Sequence, residues 1–227
     1  MRPLISVIMS AYNDCNNLES SIKSVLNQDF QDFEFLIMND GSTDNTSAII
    51  DSYSKNNKIK VFQNEKNLGL TKSLNILLNE SKGTFIARQD SDDLSLSSRF
   101  SKQLDYIKNK NLDVCGSRAI IKGSTRITPN RSYYLPLKTT LRIKNPFIHG
   151  SLIIKKSTIE KVNYYDERFF YSQDYKLVKD ILYSGFSMGI LREPLYVLNL
   201  KNNISTNFKE KQKYFADCVR KNLVPSE

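Results

Sequence analysis

The feature that most constrains this chain is a regular alternation of strand-length apolar runs and helical repeats over its first 121 residues. "LISVIMS" (4–10) is a mostly apolar run of strand length. "NNLESSIKSVLNQ" (16–28) follows with Leu18, Ile22, Val25 and Leu26 at helical spacing and Asn16 or Asn17 as the cap. "FEFLIMND" (33–40) predicts a second buried strand, and "GSTDNTSAIIDSYSK" (41–55) a turn entering a helix, with Thr43 or Asp44 near its start. "KIKVFQN" (58–64) is a third strand. "LTKSLNILLNES" (70–81) is a helix with Leu70, Leu74, Leu77 and Leu78 on one face, and "GTFIARQD" (83–90) is a fourth strand. A helix over 96–110 and a fifth strand over 112–121 complete the series.

Strand–helix–strand units with connections this short predict a mostly parallel sheet with helices on both faces and right-handed crossovers. Sheets of this kind bind ligands beyond the carboxyl ends of their strands. Asp40 and Asp90 fall at such ends, and Asn13 and Asp14 follow the first strand, so three segments deliver polar groups to one edge.

After residue 121 the pattern loosens. Residues 122–136 read as a loop or irregular hairpin, 137–145 as a short helix, 148–156 as a strand and 157–162 as a short helix. "QDYKLVKDILYSG" (173–185) is a clear helix, with Leu177, Val178, Ile181 and Leu182 inward and Gly185 as its stop. A last helix is expected over 208–222. No repeat and no Pro-, Gly- or Ser-rich linker divides the 227 residues, so a single domain is expected.

Composition narrows the chemistry. The three cysteines (Cys15, Cys115, Cys218) lie about 100 residues apart, which fits neither a zinc site nor a disulfide framework. With one histidine, His149, acid–base work falls mainly to carboxylates. No apolar run reaches the roughly 18 residues of a membrane span. The N-terminal apolar run lacks a small-residue cleavage site after it and reads as a strand, so a cytoplasmic protein is expected. Residues 1–110 hold 13 Lys and Arg against 14 Asp and Glu, whereas residues 111–227 hold 20 against 10. That basic half either attracts phosphates, nucleic acid or an anionic membrane face, or is simply solvated.

"IARQDSDDLS" (86–95) places Asp90, Asp92 and Asp93 within four positions at a strand end. Rigid carboxylate oxygens suit a hard divalent cation that also takes substrate phosphates. The alternative is a helix start, with Asp92 and Asp93 favoured by the helix dipole.

The stretches "SVIMSAYND", "FEFLIMNDGSTDNT", "NEKNLGLTKSLN", "FIARQDSDDLSLSSRFSKQ", "HGSLIIKKS" and "YDERFFYSQDYKLV" occur in this order. Together they resemble family 2 glycosyltransferases, inverting enzymes of the GT-A fold, over roughly residues 4–185. The resemblance implies a nucleotide-sugar-binding half over about 1–121 and an acceptor-binding half, with its C-terminal helix, over about 122–227. It implies that Ala11, Tyr12 and Asn13 line the nucleotide pocket and that Asp40 hydrogen-bonds the base. Asn67 and Gly69 would pass close to the nucleotide, with Lys72 near the diphosphate or sugar. Asp90, Ser91 and Asp92 match the ribose and diphosphate motif. Asp92, Asp93 and His149 would lie at a Mn2+ or Mg2+ ion, His149 having a hydrogen-bonded core histidine as its alternative. Arg99 and Gln103 would give structural support. The family's catalytic base falls on Asp174, whose alternative is a helix N-terminal charge. The family's Glu-Asp pair reads Gln173-Asp174 here, which removes a charge beside the base.

The expected function is therefore metal-dependent, inverting transfer of a sugar from a nucleoside-diphosphate donor, UDP by family habit, to a hydroxyl of a saccharide or lipid-linked acceptor in surface-glycan synthesis. A nucleotidyltransferase is disfavoured, because "SAYNDCNNLE" lacks the Gly-rich, basic phosphate loop of those enzymes. An inactive nucleotide-sugar-binding protein is a second reading of the same motifs. A basic nucleic-acid binder stacking bases on "RSYY" and "NYYDERFFY" is a third, although no nucleic-acid-binding motif is present. The last helix, with Phe208, Phe215 and Val219 partly aligned among Lys209, Lys211, Lys213, Arg220 and Lys221, either packs on the domain or lies peripherally on the inner, anionic face of the membrane.

Overall fold

The computed structural model of the chain describes residues 2–201 and 208–226. The first half follows the sequence pattern: β1 (Ile5–Ala11), α1 (Leu18–Leu26), β2 (Phe33–Asn39), α2 (Thr46–Ser52), β3 (Ile59–Gln63), α3 (Leu70–Glu80) and β4 (Phe85–Arg88). Then come β5 (Leu94–Ser95), α4 (Arg99–Lys110), β6 (Val114–Ile121), β7 (Ile127–Thr128), α5 (Leu137–Thr140), β8 (Ile153–Lys155), α6 (Lys156–Lys161), α7 (Gln173–Tyr183), β9 (Met188–Leu198) and α8 (Lys209–Lys221).

The strands form one sheet in the order β3-β2-β1-β4-β8-β6-β9-β5, with β7 paired to β6. β1 pairs in parallel with β2 and β4, and β2 with β3. β8 enters antiparallel between β4 and β6, while β6 and β9 run parallel. Every residue of β1 and β2 is buried because apolar layers cover both faces. On one face Ile5, Val7 and Met9 pack with Leu18, Ile22 and Val25 of α1 and with Phe100 of α4. On the other, Ile8 packs with Leu74, Leu77 and Leu78 of α3, and with Leu177, Val178 and Ile181 of α7 and Phe215 of α8. Burying a Leu or Ile side chain contributes about 1.5–3 kcal/mol, so these two layers dominate the stabilisation.

Three differences from the sequence pattern have physical causes. β9, an 11-residue strand, goes unread in the sequence because Arg192-Glu193-Pro194 breaks its apolar pattern. The sheet absorbs that break as a register shift opposite Ser117 and Arg118. The expected 137–145 helix is four residues long and then turns, and Pro146 follows. Asp92 and Asp93 do not start a helix: β5 intervenes and α4 begins only at Arg99, which removes the dipole alternative.

The chain runs β1, β2, β3 outward and then returns to β4 on the other side of β1. This reversal makes the β1–β4 boundary a topological switch point, where loops leave in opposite directions and open a crevice.

Candidate active site

The loop after β1 forms one wall of that crevice. Asn13 takes a left-handed backbone (φ 50°), and its Oδ1 accepts the Thr43 N–H at 2.8 Å. Asp44 accepts the N–H groups of Thr46 (2.9 Å) and Cys15 (3.2 Å). Burial opposes the Asp44 charge, but those hydrogen bonds overcome it and hold the carboxyl down at about 2. The loops after β1 and β2 are thus clasped together. Ala11 is buried in the clasp and Tyr12 is exposed.

Asp40, 2% exposed, accepts Asn64 Nδ2 (2.7 Å) and Leu68 N–H (2.9 Å) on one oxygen and Gly69 N–H (3.0 Å) on the other. Its direct work in this structure is to hold the 64–69 loop against β2. Gly41 is required there, because a Cβ on it would lie 2.4 Å from the Lys66 carbonyl carbon. Asn67 and Lys72 stand exposed at the mouth of this loop, with Gly69 (φ 90°) between them.

The acidic turn after β4 forms the opposite wall. Asp90 Oδ1 pairs with Arg88 Nη2 at 2.6 Å, and its backbone N–H donates to the Tyr196 hydroxyl at 3.1 Å. Its carbonyl accepts Ser21 Oγ of α1 at 2.8 Å. Asp93 is 2% exposed, and its Oδ1 accepts the Asn199 N–H at 2.6 Å. Burial, with Asp90 and Asp92 nearby, pushes the Asp93 carboxyl up to about 9. Its carboxyl therefore faces the protein and fixes the turn. Asp92 and Ser91 are only partly buried. Burial, Asp90 and Asp14 together push Asp92 up to about 7. Asp14 Oδ2 is buried without a hydrogen-bond partner among the described residues. Arg88 answers Asp90, whereas Asp92 has no ion-pair partner among the described residues, and its hard oxygen donors fit a divalent cation. Among the described residues no three His, Cys, Asp or Glu side chains converge on one point. A cation that keeps waters and substrate phosphates as ligands does not need them to.

Beneath the turn, Arg99 is fully buried. It donates to Gln103 (3.0 Å), Ser95 (2.7 Å), Gln89 (3.2 Å) and the carbonyls of Arg88 (2.9 Å) and Leu152 (3.3 Å). Gln103 passes the network on to the carbonyls of Cys115 and Ser151.

Asp174, at the N-terminus of α7, lies across the crevice. Its Oδ2 accepts Asn145 Nδ2 at 2.8 Å, and Asn145 Oδ1 accepts the Phe147 N–H at 3.0 Å. Gln173 beside it is buried, 8% exposed. His149 lies between the walls: burial and Arg88 push its imidazole down to about 4, against the opposing pull of Asp90 and Asp174. It is neutral near pH 7, and its Nε2 is engaged with the Tyr165 hydroxyl at 2.7 Å. That leaves Nδ1 as the one nitrogen free to meet a metal or diphosphate. Gly150 next to it is required, because a Cβ would sit 2.1 Å from the Tyr196 hydroxyl and 2.6 Å from Asp90 Oδ2.

The structure therefore gathers the acidic turn, His149 and Asp174 around one crevice. Asn13 and the buried Asp40 hold the neighbouring loops, and Asn67, Gly69 and Lys72 lie on the loop that Asp40 fixes. Arg88, Asn145, Tyr196 and Asn199 are not singled out by the sequence. A lone arginine ending an apolar strand beside three aspartates is a readable signal for Arg88. An Asn-Pro turn is a weak one for Asn145. Tyr196 and Asn199 lie on or beside the strand that the sequence conceals.

A doubly covered sheet with an acidic turn at its switch point is the architecture of a GT-A glycosyltransferase. The model described as "Glycosyl transferase family 2" matches residues 6–181, and the chain belongs to that family. It is 33% identical to EpsE of Bacillus subtilis over 86% of this chain and 72% of that protein. It is 29% identical to the Escherichia coli UDP-Glc:alpha-D-GlcNAc-diphosphoundecaprenol beta-1,3-glucosyltransferase WfgD, over 91% of this chain and 82% of WfgD. The mannosyltransferase PcManGT of Pyrobaculum calidifontis, solved with GDP-Man and Mn2+, shares the fold. Its TM-score is 0.75 at 16% identity, covering 99% of this chain and 66% of that one. No described helix is long and apolar enough to cross a membrane.

Proposed function

We propose that this glycosyltransferase moves a sugar from a nucleoside-diphosphate donor, UDP first, to a hydroxyl of a saccharide or lipid-linked acceptor, with inversion and with a divalent cation at Asp92. One observation carries the reading. The acidic turn, through Asp90, and Asp174, held by Asn145, both act on His149 beside the switch point. The whole chain acts as one domain, the first 121 residues holding the donor and the rest presenting the acceptor. The donor names of WfgD and PcManGT support a nucleotide sugar and leave GDP as the second choice after UDP.

In the proposed reaction Asp174 takes the proton of the acceptor hydroxyl, whose oxygen forms a bond to the anomeric carbon. The bond from that carbon to the diphosphate breaks on the opposite face, and the diphosphate carries away the electron pair. Mn2+ or Mg2+, when bound, supplies neutralisation of the charge that develops on this leaving group. The chain's own residues position the donor. Asp40 keeps the 64–69 loop in place, Lys72 lies exposed near its end for a phosphate, and Tyr12 offers an open aromatic face beside the clasped loops. Near α8, Phe208 and Tyr214 are exposed among Lys209, Lys211 and Lys213, a surface suited to the anionic membrane where lipid-linked acceptors reside.

The test is the melting temperature of wild type and Asp92→Asn with UDP, GDP and dTDP, each with and without Mn2+. A metal-dependent rise with one nucleotide, absent in the variant, is the expected result. No rise with any of the three would sink the reading.

A further inference from the structure

His149 is the chain's only histidine, and its imidazole lies among Arg88, Asp90 and Asp174, whose charges act on it. Its Nε2 is 2.7 Å from the hydroxyl of Tyr165, and the two rings meet edge to face at 5.6 Å. Tyr165 is itself clamped. Asn75 of α3 donates to its carbonyl at 2.9 Å and accepts its N–H at 3.1 Å. The chain reaches it through Asn163 and Tyr164, both left-handed (φ 62° and 63°), a conformation that is costly for a tyrosine. The turn tolerates that strain where it delivers one buried hydroxyl to one imidazole nitrogen.

The hydrogen bond between them has two possible directions, and a count of donors and acceptors decides between them. Tyr165 is 3% exposed, and among the described residues its hydroxyl has no acceptor other than His149 Nε2. Were Nε2–H the donor, the phenol proton would be buried with nothing to receive it, which is the more costly arrangement. With the phenol donating, both groups are satisfied. A neutral imidazole that accepts at Nε2 carries its own proton on Nδ1. Nδ1 has no partner among the described residues. It is not sealed from solvent either: the sealed, unpartnered side-chain polar atoms there are Asp14 Oδ2, Arg88 Nε and Ser117 Oγ. Asp90 and Asp174 are engaged elsewhere, with Arg88 and with Asn145. The site therefore presents an unused N–H.

A protonated Nδ1 has no lone pair to offer a cation, since a metal takes imidazole through an unprotonated nitrogen. What an N–H seeks is an anionic oxygen. In the transfer reaction the anionic part of the donor is its diphosphate. We propose that His149 donates a hydrogen bond from Nδ1 to that diphosphate and is not a ligand of the cation, and that Tyr165 is the positioning residue that fixes this tautomer. The proposal rests on the glycosyl-transfer reading above and divides the work of the site, with the cation at Asp92 and the N–H of His149 on a separate phosphate oxygen. The hydrogen bond strengthens as the breaking bond loads charge onto the leaving diphosphate, and the proton stays on Nδ1.

The single histidine makes the test direct. Long-range 1H–15N correlation spectra of the full chain, labelled with 15N-histidine, show one imidazole. They are read at about pH 8, where imidazole is neutral and a phenol is protonated. The ligand-free wild type is expected to show a pyrrole-type Nδ1 and a pyridine-type Nε2, and a pyrrole-type Nε2 overturns the proposal. In Tyr165→Phe the tautomers should mix, so that the averaged Nε2 signal shifts toward the pyrrole type. A spectrum unchanged from wild type removes Tyr165 from the positioning role. Should that variant not fold, the wild-type spectrum still decides the tautomer.

Titration with UDP, without metal and with Mg2+, tests the target of the N–H, GDP or dTDP replacing UDP where it raises the melting temperature more. The Nδ1–H proton should move downfield on binding the nucleoside diphosphate in both conditions and stay in place with the nucleoside alone. His149→Ala should weaken diphosphate binding about tenfold or more, the effect of one hydrogen bond to a charged group, by the same factor with and without metal. A loss confined to the titration with metal makes His149 a metal ligand and overturns the proposal. A nucleotide that raises the melting temperature and leaves the Nδ1–H signal unmoved overturns this proposal alone. If no nucleotide raises it, the transfer reading itself fails and takes the diphosphate role with it.

Discussion

The two walls of the crevice are held in different ways. On the proposed donor side, Asn13, Asp44 and Asp40 are each locked by hydrogen bonds from neighbouring loops. Asn13 binds Thr43, Asp44 binds Thr46 and Cys15, and Asp40 binds Asn64, Leu68 and Gly69. On the proposed acceptor side, Asp174 accepts one side-chain hydrogen bond among the described residues, from Asn145, 29 residues away. The start of its helix is tied to α8 through Ser172 and Gln212. A cross-locked wall meets its ligand already formed, so binding costs little ordering there. The proposed base, held by that one contact, can be re-aimed by it. Donor binding and turnover should therefore respond to different residues.

The sharpest break in that comparison is Asp174→Asn. It should reduce turnover by about 10²- to 10⁴-fold, the usual contribution of a general base, while nucleotide affinity stays at the wild-type level. Steady-state rates beside nucleotide-induced melting shifts would check this, and a parallel loss of both would show that the walls are not separable. Next in size is Arg99→Leu, which strikes beneath the acidic turn. It leaves Gln89, Ser95 and the carbonyls of Arg88 and Leu152 without their buried donor. Unsatisfied buried acceptors cost about 1–3 kcal/mol each, and partial relaxation should leave a net loss near 3 kcal/mol. In a domain of this size that corresponds to a melting temperature lower by roughly 6–12 °C. Third is Asp92→Asn. Metal-dependent nucleotide affinity should fall by at least the roughly 10- to 100-fold seen when a group supporting a metal ligand is lost. Titration with Mn2+ present and absent would check it, and metal-free affinity should change little.

The same contrast governs what could be read from the sequence. β1 through β4 are encoded by apolar runs whose period is local, and their ends put Asn13, Asp40 and Asp90 at one edge by topology alone. The acidic turn is legible as a cluster. That Asp93 faces inward is not, since its partner is the backbone N–H of Asn199, 106 residues later. The same holds for Tyr196, which reaches Asp90 from β9, a strand interrupted by Arg192-Glu193-Pro194. Asp174 could be placed only by resemblance, because its tether, Asn145, sits in an irregular segment with no periodic signal. Long-range polar contacts leave no local pattern, and both the acidic turn and Asp174 are held by them.

The smallest effect concerns the donor-side clasp itself. Asp44 is held at about 2 in the folded protein, against about 3.9 for an unperturbed aspartate. A folded-state value below the unfolded one means that the charged form favours folding. The stabilisation is complete above about pH 4 and is lost as the pH falls toward 2. Asp44 is partly exposed, so screening reduces the contribution to under about 1 kcal/mol. Asp44→Asn should therefore melt a few degrees below wild type at pH 7, by roughly 2–4 °C per kcal/mol. That gap should close as both proteins are melted at successively lower pH below 4. A gap that stays constant would mean that the clasp depends on the shape of the side chain rather than its charge. The contrast between a charge-locked donor wall and a singly tethered acceptor wall would then lose its electrostatic basis and rest on the number of hydrogen bonds alone.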